Sequence, residues 1–110
     1  MIDDITKEKL ISLFSNVYTI LKDEGFNQKE YVIPPLNALM EGNISSFIDK
    51  VKDANLWGGA GSVLDCEFRN SKQDKEFKNI LSEIVEILLD HQIHFNGIKS
   101  TLKFLKSTND

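Results

Sequence analysis

The feature that most constrains this chain is the spacing of its apolar residues, which recur at steps of three and four. The longest such pattern runs from about Asp74 to His91 and contains Phe77, Ile80, Leu81, Ile84, Val85, Leu88 and Leu89. This spacing places apolar side chains on one face of a helix. Similar patterns fill most of the remaining sequence, so we predict an all-α fold.

The 110 residues predict a single helical domain, residues 1–110, of about five helices with a glycine-rich central loop. The expected helices run from Asp4 or Thr6 to Glu24, from Pro34 to Glu41, from the Asn43 cap to about Ala54, from Asp74 to His91, and from Ile98 to Lys106. Because a residue before proline avoids the α region, Ile33 is expected to be extended. Leu36, Leu39 and Met40 are expected to point inward. The alternation in residues 63–68 fits either a short strand or a helical turn.

Composition limits the classes of function. Hydrophobic residues make up 41% and charged residues 27% of the chain, which is typical of a globular protein. The net charge of -4 argues against nucleic acid or an anionic membrane as the partner. The single cysteine cannot form an internal disulfide, and no signal peptide or membrane span of roughly 20 apolar residues is apparent. We therefore expect a cytoplasmic protein.

A glycine-rich segment beside the only tryptophan is the second strong feature. Its candidate structural residues are Trp57, Gly58, Gly59, Gly61, Ser62 and Asp65. Glycine permits positive φ and close backbone approach, so the segment predicts a specific conformation. It lacks the Gly-Lys-Ser/Thr ending of a phosphate-binding loop and the pattern of a nucleophile elbow. We expect a tight turn over a buried Trp57, with Ser62 or Asp65 capping the next element. The alternative is a recognition loop.

Candidate catalytic and metal-binding residues are few. Glu86, Asp90 and His94 follow each other at helical spacing, but zinc sites usually supply a fuller set of ligands. His91 and His94 are better explained as residues near a helix C-terminus, where a cation complements the dipole. Cys66 lies between apolar neighbours and is expected to be buried and unreactive. We expect no catalytic residue, no metal, no cofactor and no enzymatic activity.

One polar face of the longest helix is rich in carboxylates. Its residues are Lys72, Glu76, Asn79, Glu83, Glu86 and Asp90, which lie opposite the apolar face. The usual meaning of such a pattern is a solvated surface. The alternative is electrostatic docking of a basic protein, such as a nuclease. In that case the binding residues would be Glu76, Glu83, Glu86 and Asp90.

Residues 31–68 resemble a family of small bacterial proteins. The shared pattern is a short helix ending in Glu-Gly-Asn or Glu-Gly-Asp, a second helix, and a Trp-Gly-Gly-x-Gly-Ser-x-x-Asp segment. Here these are Glu41-Gly42-Asn43, a helix containing Phe47, and residues 57–65. Small acidic helical proteins of this type resemble the immunity proteins of polymorphic toxin and contact-dependent growth inhibition systems. The resemblance implies a protein that binds and neutralises a cognate toxin domain.

Two other classes of function remain open from the sequence. One is a small ligand-binding domain or enzyme that uses the loop from Trp57 to Ser62 as a pocket. The other is a helical dimerisation or regulatory module with exposed apolar faces. A concave site with converging polar groups at Trp57 would favour the pocket, whereas an exposed acidic surface would favour the immunity protein. The sequence leaves the oligomeric state open.

Overall fold

A computed structural model describes residues 2–107, which form six helices and no β-strand. The helices are α1 (Asp4–Asp23), α2 (Lys29–Met40), α3 (Ile44–Lys50), α4 (Ala54–Trp57), α5 (Ser71–Asp90) and α6 (Ile98–Ser107). The all-α prediction is therefore confirmed. Residue 1 and residues 108–110 of the predicted domain lie outside the described residues.

Short polar side chains fix the beginnings of four helices, among them α4, where Asp53 accepts a hydrogen bond from the Asn55 amide. Asp3 accepts a hydrogen bond from the Thr6 amide at 2.7 Å at the start of α1, so it is Asp3, not Asp4 or Thr6, that caps this helix. Asn43 caps α3 as predicted, and Asn70 caps α5. Each cap satisfies an amide that has no partner within its own helix. The Asn70 cap also explains why α5 begins three residues before the predicted Asp74.

The prediction for the second helix is wrong in two respects. α2 begins at Lys29, before Pro34 and Pro35, so Ile33 is helical and not extended. The pre-proline restriction is a preference, and here it yields to a helix that buries Val32 on its inner face. Met40 is 64% exposed rather than inward. Successive residues of a helix are rotated by about 100°, so the Met40 side chain points away from the core that the preceding residue, Leu39, enters.

The segment between α3 and α5 also differs from its prediction. α3 ends at Lys50, and the separate short helix α4 follows it. Residues 63–68 do not form the strand alternative, and their first part forms a tight turn with hydrogen bonds between residues three apart. The Asp65 and Cys66 amides close turns onto the carbonyls of Ser62 and Val63, and the chain then continues without regular structure. A strand needs a neighbouring strand for its backbone hydrogen bonds, and none is available among residues 2–107.

The core lies along α1 and α5, which pack against each other. α1 also packs against α2, which packs against α3, and α5 also packs against α6. The largest fully buried side chains are Phe14, Phe47 and Phe77, from α1, α3 and α5. The apolar face predicted for α5 is the face that enters this core. As a result, the opposite, carboxylate-bearing face of α5 is turned outward.

Candidate functional site

Trp57 lies inside the protein at the end of α4. Its side chain is only 6% exposed, and its indole N–H donates a 2.8 Å hydrogen bond to the Val51 carbonyl. The ring stacks on Phe95, with centroids 4.6 Å apart and planes 7° apart. The predicted burial of Trp57 is confirmed. A ring covered in this way anchors the loop and cannot offer its face to a ligand.

The glycines after Trp57 satisfy two different backbone requirements. A Cβ on Gly58 would lie 2.8 Å from the Ala54 carbonyl oxygen, so the close turn at the end of α4 excludes a side chain there. Gly59 and Gly61 have φ of +80° and +84°, with open space around the Cβ positions. These two are therefore selected by conformation and not by crowding.

The loop is closed by its own hydrogen bonds. Asp65 accepts a 3.1 Å bond from the Gly61 amide. The Val63 and Leu64 amides bond to carbonyls of α4, each at 3.0 Å. Asp65 therefore caps the loop, whereas the next helix is capped by Asn70. The prediction that Ser62 or Asp65 caps the next element is thus wrong. This bonding makes the loop a fixed part of the scaffold.

Ser62 is also turned into the protein. The residue is 2% exposed, and its hydroxyl has no hydrogen-bond partner among the described residues. The two chemically distinctive side chains of the loop, Trp57 and Ser62, are thus both internal. A cleft of about 450 Å³, with Phe26 and Phe68 among its lining residues, contains no residue of the loop from Trp57 to Ser62. Because both side chains are buried, neither Trp57 nor Ser62 is placed to contact a ligand on the surface of the loop.

The cysteine lies in an environment unsuited to nucleophilic chemistry. Cys66 is buried, and burial together with the Asp65 charge raises the pKa of its thiol to about 11. The reactive form of cysteine is the thiolate, so Cys66 is protonated and inert near neutral pH. Its predicted burial as a small apolar residue is confirmed.

The histidines do not continue the long helix. α5 ends at Asp90, His91 caps it with Nδ1 2.8 Å from the Ile87 carbonyl, and Gln92 turns the chain with φ of +59°. His94 therefore lies beyond the helix and not one turn after Asp90. Among residues 2–107, no three His, Cys, Asp or Glu side chains are placed to hold a metal ion.

The carboxylate face of α5 is exposed but not purely negative. Glu76, Glu83 and Asp90 are exposed and Glu86 is half-buried. Lys9 of α1 reaches to 4.0 Å from Glu83, and Lys106 of α6 pairs with Glu86 at 2.9 Å. The four carboxylates therefore share one open face as the sequence predicted, but lysines from both flanking helices approach its centre. Helical spacing could not reveal these lysines, because they come from other helices.

One buried lysine on α5 was not predicted from the sequence. Lys78 is only 5% exposed and pairs with Asp74 at 2.7 Å. Asp74 also accepts a hydrogen bond from the Phe68 amide, and the Lys78 ammonium lies 5.8 Å from the centre of the Phe104 ring. The only sequence signal was the four-residue spacing of Asp74 and Lys78. This group joins α5, α6 and the preceding loop.

Comparison of the chain with protein families, curated proteins and solved structures finds no match. None of the helices within residues 2–107 combines the length and apolar character needed to cross a membrane.

Proposed function

We propose that this protein is an immunity protein that binds a cognate bacterial toxin domain through the exposed carboxylate face of α5. The observation that carries the proposal is the single open face shared by Glu76, Glu83, Glu86 and Asp90 on a 20-residue helix. Two resemblances noted in the sequence support it: that of residues 31–68 to a family of small bacterial proteins, and that of small acidic helical proteins of this type to immunity proteins.

The length and charge of this face suit a basic groove. From Glu76 to Asp90 the helix rises about 21 Å, at about 1.5 Å per residue. A toxin that acts on nucleic acid needs cationic side chains along a groove of this kind to hold phosphates. Carboxylates at helical spacing can occupy such a groove in place of the substrate. The proposed partner is therefore a basic protein domain, such as a nuclease.

The first and last carboxylates of the face differ from the two between them in their ion pairs. Glu83 and Glu86 are approached by lysines of this chain, whereas Glu76 and Asp90 form no ion pair within residues 2–107. An unpaired exposed carboxylate attracts a cationic partner at longer range than one already paired. We therefore expect Glu76 and Asp90 to govern the rate of association with the toxin. Glu83 and Glu86 are expected to set the alignment of α5 along the toxin's groove.

The proposed activity requires binding alone. The buried Trp57 loop would hold the scaffold, and α5 would present its side chains from a rigid element. The protein would act without a cofactor and without turnover, and it would work in the cytoplasm, where a nucleic-acid-directed toxin finds its substrate.

The test requires the cognate toxin domain, which is sought first in the reading frame next to the gene for this protein. Glu76→Lys/Asp90→Lys should slow association with that domain, weaken its dependence on salt and reduce protection of cells that express the toxin. Glu41→Lys/Asp49→Lys is the matched control, because it changes the charge equally at exposed sites on other elements. Circular dichroism of both variants establishes that they fold. Equal association rates and equal protection for the two variants would overturn the proposal.

A further inference from the structure

The exposed surface formed by α5 and α6 carries two parallel rows of opposite charge. The acidic row is Glu83, Glu86 and Asp90 of α5, and the basic row is Lys99, Lys103 and Lys106 of α6. Five of the six residues are exposed and Glu86 is half-buried. No acidic residue occurs in α6, so the basic row is not neutralised by its own helix.

The two rows lie side by side on the same surface. Lys106 Nζ contacts Glu86 Oε1 at 2.9 Å, which places the lysine flank of α6 next to the acidic face of α5. Phe104 lies on the other flank of α6, against Lys78. Within residues 2–107, neither Lys99 nor Lys103 forms an ion pair. Glu83 lies 4.0 Å from Lys9 of α1, and Glu86 is paired with Lys106. Half of the six charges, those of Asp90, Lys99 and Lys103, are therefore available to a second molecule.

The spacing of the two rows matches when one is reversed. From Asp90 back to Glu83 the carboxylates are separated by four residues and then three, and from Lys99 onward to Lys106 the lysines are separated by four and then three. An antiparallel alignment therefore brings each carboxylate opposite one lysine. The pairs are Asp90 with Lys99, Glu86 with Lys103, and Glu83 with Lys106.

We propose that this surface binds a second copy of the same chain. The two copies would be related by a two-fold axis parallel to α5 and α6. Such an axis places α5 of one copy against α6 of the other, with the two helices antiparallel. Because both copies contribute the same surface, each of the three ion pairs occurs twice in the dimer. Glu86 is reached by its own Lys106 and by the partner's Lys103, so the intrachain pair is retained.

The dimer would be weak and sensitive to salt. Each row rises only about 10 Å along its helix, which indicates an interface at the small end of the specific range. Exposed ion pairs are individually weak, and salt screens them within a Debye length of about 10 Å at 0.1 M ionic strength. Self-association would cover three carboxylates of the proposed toxin-binding face, so a toxin would have to displace the second copy. This regulation rests on the proposed function, but the dimer itself does not.

The decisive experiment exchanges the charges between two variants of the full chain. The first is Glu86→Lys/Asp90→Lys and the second is Lys99→Glu/Lys103→Glu. Each alone brings like charges together across the two-fold axis, so sedimentation velocity should show dimerisation at least about tenfold weaker than in the wild type. In a mixture of the two, every altered residue faces an opposite charge, and a heterodimer should form.

Lys50→Glu/Lys52→Glu is the matched control, since it makes the same change of charge at exposed residues near the end of α3. It should dimerise like the wild type at low salt. A wild type that stays monomeric over the whole concentration range, or a mixture that forms no heterodimer although both variants fold, would overturn the proposal. Lys99→Glu/Lys103→Glu leaves the carboxylates of α5 intact. If this variant fails to dimerise but still protects cells fully against the toxin, the dimer and the toxin-binding function are shown to be independent.

Discussion

The Trp57 indole lies flat against the Phe95 ring, with planes 7° apart and centroids 4.6 Å apart. The contact joins the glycine loop to the connection between α5 and α6, and these two segments are distant from each other in sequence. The indole N–H holds the Val51 carbonyl at the end of α3 at the same time. One side chain thus fixes three connecting segments, which explains why the tryptophan lies beside a loop of closely spaced glycines.

Trp57→Ala should destabilise the fold strongly. Removal of a buried aromatic side chain typically costs roughly 3–5 kcal/mol, because the contacts are lost and a cavity remains. Trp57→Phe should cost less, since it keeps an aromatic ring against Phe95 and loses the hydrogen bond to Val51, worth about 1–3 kcal/mol where a buried carbonyl is left unpaired. Urea denaturation of the three proteins measures this order. An unchanged midpoint for Trp57→Ala would contradict the anchoring role.

Substitutions of the glycines should separate crowding from conformation. Gly58→Ala should destabilise because its Cβ would meet the Ala54 carbonyl oxygen at 2.8 Å. Gly61→Val should cost roughly 1–3 kcal/mol, because φ of +84° is strained for a β-branched residue. Gly61→Asn is the control, since asparagine tolerates positive φ better and the Cβ position is open. Thermal unfolding that ranks Asn no better than Val would show that strain is not the cause.

The local parts of the fold could be predicted from the sequence. The apolar face of α5, the Asn43 cap and the burial of Trp57 all depend on residues near each other in the chain, and all three are confirmed. The helical state of Ile33 could not be predicted, because the core contacts that outweigh the pre-proline preference come from other segments.

In the candidate site, too, features set by a single helix could be predicted and contacts between helices could not. Helical spacing alone placed four carboxylates on one face of α5, since a single helix determines their positions. It could not show that Lys106 of α6 would pair with Glu86, or that Lys78 would be buried beneath Phe104. Those contacts depend on how α6 packs against α5, and no residue pattern within either helix specifies that packing.

The Cys66 thiol should make stability fall at alkaline pH. Its pKa is about 11 in the folded protein, against 9.0 for an unperturbed thiol. As the pH rises above 9, the unfolded chain therefore loses this proton before the folded chain does, and stability decreases until about pH 11. Below pH 9 both states keep the proton, so the thiol has no effect. Cys66→Ala should show a shallower decline of unfolding free energy over this range, measured in urea. Equal slopes for the two proteins would contradict the raised pKa.

The ion pair of Asp74 and Lys78 should respond unequally to removal of its two members. Asp74→Ala leaves the Lys78 ammonium, 5% exposed, without its partner and also removes the acceptor of the Phe68 amide. Loss of one partner from a wholly buried pair costs roughly 3–5 kcal/mol, and we expect less here because 24% of the Asp74 side chain is exposed. Lys78→Met should be better tolerated, since an apolar chain of similar length can pack beneath Phe104 and Asp74 can still accept from Phe68 while meeting solvent. Urea denaturation of both variants gives the comparison. A greater loss of stability for Lys78→Met than for Asp74→Ala would show that the attraction between the charges, and not the cost of a lone buried ammonium, is the larger effect.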